Sequence, residues 1–157
     1  DHVEVFEILV EQYVDVDIRD FKDRTPLHRA VYWGCFDISR ILIERGADIN
    51  ARDKQGRTPL HRILVSLHDH TGDIYFDVIS FLLGHGADVD AQDNDDRTPL
   101  HIASFHGCTK AVQILLEHGA DAHSENHAGQ TPFQVASAQE NEAVMRLMLG
   151  HTQRSQT

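Results

Sequence analysis

Thr25-Pro26-Leu27-His28 returns as Thr58-Pro59-Leu60-His61 and Thr98-Pro99-Leu100-His101, and an altered fourth copy stands at Thr131-Pro132-Phe133-Gln134. Successive threonines lie 33, 40 and 33 residues apart. A fixed period of this size means a stack of similar units, because one unit of that length cannot bury its own apolar face. A second motif keeps step with the first. Gly46-Ala47-Asp48-Ile49-Asn50-Ala51, Gly86-Ala87-Asp88-Val89-Asp90-Ala91 and Gly119-Ala120-Asp121-Ala122-His123 each begin 12 residues before the next Thr-Pro.

Elementary chemistry accounts for the unit. Thr is able to cap a helix, and Pro suits the first helical position, where its missing N–H is no loss and its φ is already helical. Apolar residues follow at helical spacing (Leu27, Ala30, Val31), then Gly34 as a stop, then a second helix with Ile38, Ile41 and Leu42 on one face. Gly46, Gly86 and Gly119 stand where a helix ends in a left-handed residue.

With these motifs the sequence resembles the ankyrin-repeat family over essentially its whole length. The resemblance implies an all-α solenoid of stacked helix-turn-helix units joined by β-hairpin turns. On that pattern residues 1–19 match only the second helix and hairpin of a unit, 20–52, 53–92 and 93–125 are repeats, and 126–157 is a C-terminal capping repeat with a polar tail. The missing first helix suggests that the array was longer, and Asp1-His2-Val3-Glu4 reads as a fragment boundary with no signal-peptide order.

Three features depart from the pattern. Asp23 and Asp96 replace the turn glycine that stands at Gly56 and Gly129. Arg29 and Arg62 replace an apolar residue just after the motif His, where their long stems can cover apolar surface. The second full repeat carries seven extra residues, which fall between its helices at about 67–76. They form either a tolerated loop or a specific contact through Tyr75.

Composition excludes several functions. Twenty-five acidic against 14 basic residues give a net charge of −11, which repels phosphate backbones and anionic lipid headgroups. Apolar runs such as Ile41–Ile43 fall far short of the roughly 20 residues that span a bilayer. Nucleic acid and membrane are therefore not expected partners. Cys35 and Cys108 stand alone, which argues for reduced thiols and an intracellular setting, cytoplasmic or nuclear.

Catalytic and metal chemistry find little support. Of the 12 histidines, His28, His61 and His101 belong to the repeat motif, where the resemblance implies that the ring ties neighbouring turns together. His85 and His118 share one position near the end of a second helix. His68 and His70 lack partners at zinc-site spacing. The two cysteines occupy equivalent places, and no phosphate loop, nucleophile elbow or HExxH is present. No enzyme activity, cofactor or metal is expected.

Ankyrin architecture implies a concave face built from hairpin tips and the ends of the first helices. Phe21, Lys22, Arg24, Tyr32, Trp33, Arg57, Arg97, Phe105 and His106 would lie there, with Tyr75 beside it. Aromatic residues and Arg dominate interface energetics, and Arg24, Arg57 and Arg97 fall in register as a basic row unless each pairs with a nearby Asp. The expected function is a monomeric protein-binding module holding a partner protein or peptide that carries acidic residues. The alternative is a regulatory or substrate-recruiting domain of a larger enzyme, ubiquitin-ligase adaptor or channel. Asn50 stands where family members offer Asn to an asparaginyl hydroxylase, although a turn-stabilising Asn explains it too.

Overall fold

The computed structural model describes residues 15–67 and 72–154. Most of the partial repeat at 1–19, His68, His70 and the last three residues lie outside them. Among the described residues there are eight helices and no strand: α1 (Pro26–Tyr32), α2 (Phe36–Glu44), α3 (Pro59–Ser66), α4 (Asp73–Gly84), α5 (Pro99–Phe105), α6 (Thr109–Glu117), α7 (Pro132–Ala138) and α8 (Glu142–Arg154).

Each first helix begins with the motif proline, preceded by an extended threonine at the cap (φ −80, −82, −82 and −79°). The first helices α1, α3, α5 and α7 stack in one layer, and the second helices α2, α4, α6 and α8 stack in another. The core lies between the layers. It is continuous from Leu27 and Val31 through Leu60, Leu64, Leu82 and Leu100 to Leu115, Ala136 and Val144. Each helix thus buries its apolar stripe against the neighbouring repeats.

Hairpin turns precede the first helices, and one Asp or Asn builds each of them. Asp53 Oδ1 accepts the N–H groups of Gln55 and Arg57, as Asp20, Asp93 and Asn126 do in their own turns. The turn closes through a left-handed residue, which is Gly56 (φ 71°) and Gly129 (φ 69°) but also Asp23 (φ 58°) and Asp96 (φ 55°). The sequence expectation of a strained Asp at this position is met.

The motif histidines tie successive turns together. The Nδ1 of His28 lies 3.2 Å from the Thr25 N–H donor and 2.9 Å from its hydroxyl, and Nε2 reaches the Arg57 carbonyl of the next turn at 2.9 Å. His61 repeats this onto Arg97, and His101 onto Gln130. With Nδ1 accepting from an amide, the proton must sit on Nε2, and the ring is neutral. Gln134 replaces His in the last unit and stands exposed, its Oε1 accepting the Thr131 N–H at 2.8 Å.

The seven extra residues do not make a loop alone. One lengthens α3 and three extend α4 at its N-terminus relative to its counterparts α2 and α6, while the connection at 67–72 takes the rest. This corrects the expectation for Tyr75. It falls inside α4, is only 8% exposed, and packs its ring where a Cβ on Gly34 would come within 2.9 Å. Burial takes Tyr75 off the accessible surface, and its physical role is to seal the groove that a left-handed Gly34 (φ 65°) leaves open.

Candidate interaction surface

Hairpin tips and first-helix ends do converge. A groove of about 420 Å³ is lined by Arg57, Arg97, Asn126 and Gln130 from the turns and by Val65, Phe105, His106, Ala138 and Gln139 from the helix ends. Ile102 and Val135 complete its floor. Both occupy the position just after the motif His (or its Gln replacement), where the earlier repeats carry Arg29 and Arg62. The inner face therefore changes character along the stack, from arginine in its first half to an apolar floor in its second. The sequence marked the two arginines as exceptions; that their position faces the groove emerges only when the repeats are stacked.

The aromatic positions are exposed where they were expected. Phe21 is 75% exposed at its hairpin tip, Trp33 59% and Phe105 50% at helix ends. Tyr32 and Trp33 meet edge to face with ring centroids 5.2 Å apart, and the equivalent Phe105 and His106 do the same at the same distance. The Lys22 ammonium stands 5.6 Å and the Arg24 guanidinium 6.0 Å from the Phe21 ring centroid. Trp33 and Phe21 do not line the groove and lie in the preceding repeat; the counterparts of Trp33, His106 and Gln139, line it farther along, whereas those of Phe21 do not.

The arginine row is not a free basic stripe. Arg24 bonds Asp20 of its own turn (2.8 Å), its side chain only 10% exposed, and Arg97 bonds Asp93 (2.8 Å) and Asp95 (2.7 Å). Although burial works against ionisation of Asp93, the Arg97 guanidinium and the N–H groups of Arg97 and Asp95 hold its carboxyl below the usual range. The charge that the row shows to a partner is thus much reduced, because the carboxylate that builds the turns of Arg24 and Arg97 also holds the arginine.

Arg57 differs from its two counterparts. It leans toward Asp93 of the next repeat at 3.6 Å, and its buried Nε has no acceptor. Arg29 pairs with Asp20 at 3.0 Å. Arg62 places its guanidinium 5.1 Å from the Tyr32 ring centroid, and its Nε is likewise buried without an acceptor.

Asn50 is a strut between repeats. Its Oδ1 accepts the Asp88 N–H at 2.8 Å and its Nδ2 donates to the Gly86 carbonyl at 3.1 Å. Asp17 and Asp90 make the equivalent acceptor contacts to Asp48 and Asp121. This geometry accounts for the residue without a modification. Among the described residues no group of three His, Cys, Asp or Glu side chains could hold a metal, and none of the helices is long and apolar enough to cross a membrane.

Family models for ankyrin repeats match throughout: the one described as ankyrin repeats (3 copies) covers residues 51–126 and 67–157, and the one described as ankyrin repeats (many copies) covers 9–63. The chain belongs to the ankyrin-repeat family. No curated protein matches it closely enough to add a more specific relative. Ankyrin repeats are generally protein–protein interaction modules and typically non-catalytic. In this ankyrin chain the groove lined by hairpin tips and first-helix ends runs across the turns of the last three repeats.

Proposed function

We propose that this ankyrin-repeat chain holds a partner protein or peptide on the face made by its hairpin tips and first-helix ends, with Trp33 and Phe105 as anchors. The observation that carries the reading is the exposure of Phe21, Trp33 and Phe105, whereas the other aromatic residues among those described are buried or half-buried. A large exposed ring costs free energy in water and gains it when covered. The stiff stack pre-positions these rings, so little ordering entropy is lost on association.

Arg24 and Arg97 frame the anchors rather than supply free charge, since both are already paired, while Lys22 stands by Phe21 and His106 by Phe105. The same face would serve equally as the recruiting surface of a larger protein. Trp33→Ala and Phe105→Ala should each weaken a true partner by about 2 kcal/mol, roughly thirtyfold, with the melting curve unchanged. Calorimetric titration with a partner captured by the parent chain reads this directly. Unchanged affinity in both variants would move the binding surface elsewhere.

A further inference from the structure

We infer that the concave face contains a carboxylate subsite at Arg57 and Arg62, and that its occupant is an extended segment of a partner protein with an Asp or Glu followed closely by an apolar residue. The inference rests on the reading of this face as the binding surface and names what the face selects.

The first argument is hydrogen-bond accounting. A carboxylate offers about four acceptor sites. Asp93 spends all of them: Oδ1 takes the N–H groups of Asp95 and Arg97, and Oδ2 takes Nε and an Nη of Arg97 at 3.1 and 2.8 Å. Arg57 therefore gets proximity from Asp93 at 3.6 Å but no hydrogen bond, and its buried Nε stays unsatisfied. In its own turn Asp53 Oδ1 holds the N–H groups of Gln55 and Arg57, while the Arg57 guanidinium leans away to Asp93. A buried donor without an acceptor is costly, and more so when charged.

The second argument is independent of the first. Arg62 occupies the inner-face position that is Ile102 in the next repeat, and its Nε is also buried without an acceptor. Its charge lies over Tyr32, an aromatic face; burial disfavours that charge most, Asp53 favours it, and Arg57 and Arg24 disfavour it again. The two buried Nε atoms are themselves closed to a ligand, so a partner's carboxylate would meet the remaining, partly exposed edges of the two guanidinium groups on this face. A planar fork recognises a carboxylate better than a carbonyl.

Geometry also sets what comes next to the carboxylate. Arg57 forms one boundary of the groove, whose apolar part is made by Val65, Ile102, Phe105, Val135 and Ala138 and whose polar part includes Arg97, Asn126 and Gln130. A chain laid along the stack would put its acidic side chain at Arg57 and its following side chains on that floor. The net charge of −11 opposes acidic ligands at long range, but charges beyond about 8 Å are screened at physiological salt, and the local pair decides.

The test selects peptides from a phage-displayed random dodecamer library on the full chain and titrates the synthetic winners. The expected result is a shared Asp or Glu beside an aliphatic or aromatic residue. Replacing that acid by its amide should weaken binding about tenfold or more, Arg57→Gln should do the same, and the two changes together should cost little beyond either. The peptide change cannot unfold the protein, so it guards against a damaged variant; Arg62→Ile, which copies the sister repeat, is the second protein variant. Peptides lost on Phe105→Ala but indifferent to the amide change and to Arg57→Gln would overturn the subsite and leave the binding face standing. An acid dependence that Arg97→Gln removes and Arg57→Gln does not would also overturn it. Winners that ignore Phe105, Arg57 and Arg62 alike would overturn both readings.

Discussion

Asp23 and Asp96 show how much one backbone angle weighs. Both hold a left-handed φ at the place where the sister turns use glycine, and a residue with a Cβ pays there what glycine does not, about 1 kcal/mol. Among the described residues the Asp23 side chain makes no bond that would offset this, and Asp96 has a 3.4 Å contact to the exposed His127. Asp23→Gly and Asp96→Gly should therefore each raise Tm by roughly 2–4 °C, the shift expected of about 1 kcal/mol in a chain of this size. Thermal melts followed by circular dichroism check it, and a fall in both variants would show that the turn favours Asp for another reason.

Between elements, the motif histidines tie successive turns together and respond to pH. Burial pushes His28, His61 and His101 below the ordinary imidazole range, and the carbonyls of Arg57, Arg97 and Gln130 only partly offset that. A depressed folded value means that the unfolded chain takes up protons first. The stabilisation is complete above about pH 6.5, the unfolded imidazole value, and is lost as pH falls from there toward the folded values. Each ring contributes a slope of up to about 1.4 kcal/mol per pH unit in that window. Urea melts at pH 8, 6.5 and 5.5 should show stability nearly constant between the first two and clearly lower at the third. His101→Gln, which copies the last repeat, should flatten the fall. A parent curve that is flat from pH 6.5 to 5.5 would contradict the neutral, buried ring.

At the scale of the whole molecule, the main helix contacts among the described residues fall within a repeat or between adjacent repeats. Such a stack has graded local stability, with the inner repeats supported on two sides. Leu60, Leu64 and Leu100 are fully buried between layers, whereas Leu149 of α8 is 55% exposed. Amide hydrogen exchange should accordingly be slowest in α3 and α5 and fastest toward the end of α8. Equal protection in all repeats would mean that the array unfolds as one unit.

The repeat period, the helix starts at Thr-Pro, the left-handed turn positions and the histidine ties were all legible in the sequence, because they depend on contacts within one unit or between identical neighbours. The positions of the concave face could be named for the same reason, by counting from each motif. What counting could not supply was the partner of each side chain. Tyr75 looked like part of an exposed insertion, but three of the extra residues extended α4 and turned it inward against Gly34. Arg24, Arg57 and Arg97 looked equivalent, yet two of them closed ion pairs in their own turns while Arg57 was left beside a carboxylate already saturated by Arg97. Local periodicity determined the fold, since every repeat solves the same packing problem with the same residues. The differences between repeats were decided by tertiary contacts, since hydrogen-bond capacity is shared across the interface and is spent by whichever neighbour reaches it.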